Sequence, residues 1–247
     1  SSGKFSSIRL DTLLSYSNTK SYIQYFIDLF YPETCVECNR TLIPGCRILC
    51  HCCRSDLPRC HFSSSPGNRA EALFYGRVEI QGVTSLLYFR KKGVVQRMMH
   101  ELKYRGREDI GRFLGLMLGA EIVAAQRFAS TDLVIPVPLH PKKLRSRGYN
   151  QVSRFGRCLS EALGIPFLEK TLVRNQSGAS QTDKSRIERN RDLENSFAIK
   201  GHKNLINKHV LIVDDIITSG ATLEICARKV LEVSGTRVSL ASMAFTL

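Results

Sequence analysis

The sequence predicts an α/β fold, a parallel sheet flanked by helices, with a small cysteine-rich module in front of it. Three observations predict it. From Asp132 onward, short apolar runs alternate with stretches of helical periodicity, the pattern of strands joined by crossover helices. One of those runs, HVLIV from His209, ends at the adjacent carboxylates Asp214 and Asp215, and small hydroxyl and glycine residues follow. Seven of the nine cysteines lie between Cys35 and Cys60.

The elements follow in order. Tyr22, Ile23, Phe26, Ile27 and Phe30 recur at helical spacing and Pro32 ends the run, which predicts an N-terminal helical segment over 1–31 that packs on the core. The cysteine module follows over 32–62. FSSSPGNRAEA, from Phe62, reads as a polar linker. A larger domain is expected over 72–247. ALFYGRV (Ala72–Val78) and VTSLLYF (Val83–Phe89) look β-like. Helices are expected over Gly93–Lys103 and over Asp109–Arg127, where Ile110, Phe113, Leu114, Met117 and Leu118 form a stripe. DLVIPV (Asp132–Val137) is a short buried strand. Gly148–Leu163 carries Val152, Phe155, Leu159 and Leu163 on one face, with Gly164 placed to end it. PFLEKTLVR reads as extended, and the stretch from Asn175 to Asn195 is long, polar and basic. SFAI and HVLIVDD are strands, Gly220–Val233 a helix and RVSLASMAF a final strand.

The chain carries 36 Lys and Arg against 22 Asp and Glu, a formal charge of +14. Such a surplus calls for an anionic partner, whether phosphorylated metabolite, nucleic acid or membrane headgroup. No stretch reaches the ~20 apolar residues of a spanning helix. Ser1–Lys20 lacks the apolar core of an export signal, so the cysteines are expected in a reducing cytoplasm and read as metal ligands rather than disulfides. Cys35-Val-Glu-Cys38 and Cys50-His-Cys-Cys53 are two Cys-x-x-Cys knuckles, and Cys35, Cys38, Cys50 and Cys53 are spaced to surround a structural Zn²⁺. Cys46, Cys52, Cys60, His51 and His61 stand nearby as spare donors.

In an open α/β sheet, ligands bind beyond the carboxyl ends of the strands. Asp214 and Asp215 stand at such an end, where they repel one another and lose solvation unless a ligand uses them. Vicinal ribose hydroxyls suit them; a Mg²⁺ site or a solvated loop are the alternatives. Thr218, Ser219, Gly220, Ala221 and Thr222 then enter a helix, and free N–H groups beside small residues make a phosphate cradle. Val210–Thr222 resembles throughout the phosphoribosyl-pyrophosphate (PRPP) motif of type I phosphoribosyltransferases, which implies that fold. The resemblance puts Asp214 and Asp215 on the ribose hydroxyls and Thr218–Thr222 around the 5-phosphate. It also implies a pyrophosphate site in IPVPLHPKKLRSRGYNQ (Ile135–Gln151), where Pro136, Pro138 and Pro141 stiffen the loop and Lys142, Lys143, Arg145 and Arg147 offer cations.

That basic stretch, the preceding cysteine pairs, LKYRG (Leu102–Gly106) and the segment from Arg174 to Phe197 fall in the order of the ComF family, in its ComFC and GntX-like branch. The sequence departs from the family pattern at Lys184 and Asp192. The resemblance implies a competence protein acting in DNA uptake for natural transformation. It implies PRPP with Mg²⁺ as ligand and a mobile loop over Arg174–Arg191. Single-stranded DNA is a further expected partner, tracked by Lys184–Arg191, Arg154 and Arg157, with Tyr104, Tyr149 and Phe155 as stacking candidates. Two alternatives stand beside this reading. One is an active phosphoribosyltransferase of unknown acceptor, against which little sequence follows the last strand to recognise a base. The other is a non-catalytic adaptor docking a helicase or membrane channel of the uptake apparatus, in the cytoplasm at the inner face of the membrane.

Overall fold

The computed structural model describes residues 32–43, 45–175 and 196–246. The expected N-terminal helix and most of the expected mobile loop, with Lys184 and Asp192, lie outside these residues. The central sheet has four parallel strands: β1 (Gly82–Phe89), β2 (Leu133–Pro136), β5 (His209–Ile217) and β6 (Arg237–Thr246). Their order is β1-β6-β5-β2. A two-stranded antiparallel ladder, β3 (Leu172–Arg174) with β4 (Phe197–Ile199), stands apart.

Both faces are covered, as the near-continuous apolar strands require. On one face α3 (Val94–Tyr104), α4 (Glu108–Ala125) and α6 (Ser153–Leu163) bury Met98, Leu102, Leu114, Leu118, Phe155 and Leu159 against Leu211, Val213 and Met243. On the other, α7 (Ala221–Leu231) buries Leu223, Cys226, Ala227 and Val230 against Val210, Ile212 and Leu240. The crossover leaving β2 therefore runs through α6 on one face, and the crossover leaving β5 runs through α7 on the other. Adjacent strands whose crossovers diverge in this way open a crevice at their carboxyl ends. That crevice lies beyond Pro136 and Asp214.

The cysteine module shares the core of the first face. Cys35, Ile48, Leu49 and Leu57 are buried in the same cluster as α3 and α4. Outside that cluster, Glu37 is held bidentately by Arg97 of α3, and Arg54 of the short helix α1 (His51–Ser55) stacks 5.6 Å from the Phe113 ring centre. Pro58–Cys60 runs antiparallel along the free edge of β1, with Tyr88 N–H donating to Pro58 C=O at 2.7 Å and Cys60 N–H to Leu86 C=O at 2.9 Å. The opposite edge is covered too. Phe167 bridges Val134 of β2 in parallel, with Val134 N–H donating to Pro166 C=O at 2.9 Å.

Three local expectations change. Ala72–Val78 is not a strand: α2 (Arg69–Ala72), capped by the Asn68 side chain, runs into successive turns. Fully buried Phe74 anchors those turns, so a single apolar residue decides the segment rather than an alternating face. The supposed linker before it is tied down. Ser63 Oγ lies 2.8 Å from Thr84 Oγ1, and buried Glu71 accepts Val83 N–H at 3.0 Å and pairs with Arg127. The helix expected from Gly148 begins at Ser153, because a separate helix, α5 (Pro141–Arg147), occupies the basic stretch and Gly148 ends it.

Candidate functional site

β5 carries the carboxylates and does not stop at them. It stays paired with β6 as far as Ile217↔Phe245, whereas β2 ends opposite Val213. From Asp214 onward β5 therefore has a strand on one side only. Because the strand persists, successive side chains leave from opposite faces, and the two carboxylates meet different surroundings. Asp215 turns to the face of α3 and α6. Its Oδ2 lies 2.7 Å from Lys103 Nζ and accepts from Gln151 Nε2 at 2.8 Å. Asp214 lies towards α7, where burial first and then its charge raise the Cys226 thiol well above its usual range. Asp214 Oδ1 accepts the Asp215 N–H at 2.8 Å. Burial, then repulsion from Asp215, push the Asp214 carboxyl far above the ordinary carboxylate range, against smaller opposing pulls from the Asp215 N–H and then from Lys103. The expected pair of equivalent side-by-side acids is thus an unequal pair: one acid tied to a lysine and one disposed to hold a proton.

Thr218 and Ser219 are exposed, Ala221 and Thr222 half-buried and Gly220 buried. Gly220 precedes the first residue of α7 at φ +75°, a left-handed conformation that L side chains resist. A Cβ there would stand 2.9 Å from Cζ of Phe74. Phe74 thus presses on the turn from beneath. Arg77, three residues on, donates to Ser219 C=O at 3.0 Å and pairs with Glu224 of α7. The segment read as a strand is the buttress of the hydroxyl loop.

The basic stretch is not a continuous extended loop. After β2 the chain runs through Pro138 to His140, whose side chain accepts the Lys142 N–H at the start of α5, with Pro141 in its first turn. The helix distributes its cations over two cavities. Lys142, Lys143 and Arg147 line one of about 390 Å³ together with Lys103, Tyr104 and Tyr149. Arg145 lines another of about 1000 Å³ with Arg154, Arg157, Lys170, Arg174 and Lys200, over a floor that includes Leu139 and Leu172. Thr218–Thr222 line neither cavity. In the larger one, the Arg174 guanidinium stacks 5.1 Å from the Phe197 ring centre, and its buried Nε has no hydrogen-bond partner among the described residues. In the smaller one, Arg147 stacks 5.6 Å from the exposed Tyr104 ring and donates to Gln151 Oε1. Phe155 is fully buried, so it offers no stacking surface.

Residue-level reading missed Lys103, Gln151, Phe74 and Arg77. Lys103 and Gln151 stand inside quoted motifs, LKYRG and RGYNQ, but nothing in their spacing says that both reach Asp215.

The sulfurs of Cys35, Cys38, Cys50 and Cys53 all lie within 4.8 Å of one another, a separation suited to four thiolates around one ion. Burial raises the Cys35 thiol, but hydrogen bonds from the backbone of Cys38, Cys50 and Glu37 outweigh it and hold it at about 6. Burial and its cysteine neighbours push the Cys53 thiol the opposite way, so the four thiols are unequal and a bound ion would have to draw the protons from them together. An all-thiolate tetrahedral set fits Zn²⁺ as a closed structural site. Cys46, Cys52, Cys60, His51 and His61 are outside the group.

Comparison with known proteins is consistent with this geometry. The phosphoribosyl transferase domain family matches residues 152–245, which include Asp214–Thr222. The DNA utilization protein YhgH of Salmonella typhimurium is 29% identical over 153 residues, 61% of this chain and 66% of that protein. Competence protein F of Haemophilus influenzae is 32% identical over 130 residues, 51% of this chain and 57% of that protein. Competence protein ComFC of Streptococcus pneumoniae is 28% identical over 156 residues, 63% of this chain and 65% of that protein. The chain thus spans just under two thirds, or less, of the length of these relatives. Among solved structures, the glutamine PRPP amidotransferase of B. subtilis aligns at 23% identity and TM-score 0.41, covering 58% of this chain and 30% of that one. Adenine phosphoribosyltransferase of Saccharomyces cerevisiae aligns at 19% and 0.33, covering 64% and 72%. The parallel sheet, the cysteine cluster and the domain match make this a type I phosphoribosyltransferase fold with a small N-terminal cysteine module, and the chain is similar to competence proteins of the ComF type.

Proposed function

We propose that the chain is a ComF-type competence protein that seats PRPP or a related ribose phosphate in the crevice beyond β2 and β5, and that it serves DNA uptake in natural transformation. The observation that carries this reading is the run from Asp214 to Thr222 at the carboxyl end of β5, beside the strand whose crossover leaves on the opposite face. In this reading the N–H groups of Thr218–Thr222 take the 5-phosphate and the two carboxylates take the sugar hydroxyls. Lys142, Lys143 and Arg147 face the pyrophosphate, which arrives with Mg²⁺. Calorimetry with PRPP and Mg²⁺ tests it. Wild type gives a saturable heat and Asp214→Asn/Asp215→Asn abolishes it; no heat with the wild type ends the reading.

A second ligand class, single-stranded DNA, is supported by the cavity of about 1000 Å³. It combines six cations with an apolar floor, against Glu108 and Glu169 as its acids. Phosphates would meet Arg145, Arg154, Arg157 and Arg174, and bases the apolar floor. Filter binding of a labelled oligonucleotide across a salt series tests this. The affinity falls linearly with log salt, and Arg145→Ala/Arg174→Ala flattens the slope by about two phosphates' worth. Absence of binding at low salt refutes it.

A further inference from the structure

Both side-chain ties on Asp215 Oδ2 lead to cations lining the same cavity, while Oδ1 accepts the Ile216 N–H at 2.7 Å. The first is direct: Lys103 Nζ lies 2.7 Å from Asp215 Oδ2, and Lys103 lines the cavity of about 390 Å³ with Lys142, Lys143 and Arg147. The second is relayed: Gln151 Nε2 donates to the same Oδ2 at 2.8 Å, while Gln151 Oε1 accepts from Arg147, another lining residue. With both ties in place Asp215 is committed to the protein and is only 12% exposed. A lysine has a flexible stem and three donors on a point charge, and an arginine offers a fork that matches phosphate oxygens. A multivalent anion entering between Lys103, Lys142, Lys143 and Arg147 competes for both.

We propose that Lys103 is a positioning residue that makes anion binding and sugar binding cooperative: an anion in this cavity draws Lys103 and Arg147 off the Asp215 network and frees the Asp215 carboxylate for a sugar diol. The inference rests on the ribose-phosphate reading of the crevice and adds an order to it. The anion seats first, and the sugar end is gripped only then. A ligand lacking the anion must break the lysine contact itself and binds weakly. Coupling of this kind is reciprocal, so the sugar phosphate must strengthen anion binding by the same factor.

The test measures ribose 5-phosphate binding by calorimetry with and without saturating inorganic pyrophosphate and Mg²⁺, and pyrophosphate binding with and without ribose 5-phosphate. For the wild type we expect each to tighten the other about tenfold, within the usual range of coupling. Lys103→Met is expected to bind ribose 5-phosphate more tightly than wild type when pyrophosphate is absent, and to lose the coupling. Lys103→Arg is expected to restore part of it. Should Lys103→Met fold poorly, Asp215→Asn gives the converse readout: with the lysine released, pyrophosphate binds more tightly than to wild type. A Lys103 that serves only as a structural ion-pair partner changes thermal stability but not the coupling factor. Equal coupling in wild type and Lys103→Met therefore overturns the proposal, as does an Asp215→Asn variant that binds pyrophosphate no more tightly than wild type. A wild type that binds PRPP without mutual enhancement of its two halves overturns this inference alone, whereas a wild type that binds no PRPP overturns the crevice reading on which it rests.

Discussion

Gly220→Ala should reveal how much the hydroxyl loop depends on what lies beneath it. Two costs combine at this position. The residue sits at φ +75°, and an L side chain in the left-handed region costs roughly 1–2 kcal/mol. The new methyl would also stand 2.9 and 3.0 Å from Phe74 Cζ and Cε1. Phe74 is fully buried and has little room to yield, so overpacking adds about 1–3 kcal/mol. The sum is about 3 kcal/mol, which lowers Tm by about 6–12 °C in a chain of this size. Gly148→Ala is the control. Gly148 has φ +83° but nothing within 4 Å of the added methyl, so only the backbone cost of about 1 kcal/mol applies. Urea melts of both variants, and of Gly220→Ala combined with Phe74→Leu, separate the two costs. The shorter side chain should recover about 1–2 kcal/mol of the Gly220→Ala penalty even though Phe74→Leu itself destabilises. If Gly220→Ala costs no more than Gly148→Ala, or costs the same in both Phe74 backgrounds, the ring is not what shapes the turn.

Further outcomes follow from the same structure. Arg77→Ala removes both the bond to Ser219 C=O and the ion pair to Glu224, and should cost about 1–3 kcal/mol in a urea melt while weakening PRPP binding; equal PRPP affinity would show that the loop holds its shape without that brace. Purified protein should contain about one zinc per chain by atomic emission, and Cys35→Ser should lose the metal and cooperative unfolding together, since Cys35 is both a candidate ligand and fully buried; less than about half a zinc after careful handling counts against the site. Asp214 holds its proton to higher pH in the folded chain than an ordinary aspartate does in the unfolded one. The folded state therefore binds the extra proton, and stability falls as pH rises above about 4, by at most about 1.4 kcal/mol per pH unit until the raised folded value is passed. Asp214→Asn should abolish that slope and leave the variant more stable than wild type at pH 8, and parallel stability–pH profiles would contradict the assignment.

Much of the sheet was legible because its strands are apolar runs between turn residues. VTSLLYF, DLVIPV, HVLIV and RVSLASMAF all fall on observed strands. The turn after β5 was legible for a different reason, since few sequences place small hydroxyl residues and glycine directly after such a strand. Phe74 could not be read this way: it is one aromatic among turns, and its significance comes from a glycine far along the chain. The helix α5 was hidden by its prolines. Pro136 and Pro138 argue for extended backbone, but Pro141 stands in the first turn of a helix, where its missing N–H costs nothing. The unequal fates of Asp214 and Asp215 depend on how far β5 outlasts β2, which is a property of the pairing and not of either strand alone.

The strip from Pro58 to Cys60 has a practical bearing on how this chain can be cut. It is the only described backbone paired along the outer side of β1. A fragment beginning at residue 72 would strip that cover and present a row of free amides and carbonyls beside Val83, Leu86 and Leu87, all fully buried in the intact chain. Bare rims of this sort recruit other chains. The larger domain, expressed by itself, should therefore self-associate or precipitate, while a version retaining the cysteine knuckles should stay dispersed.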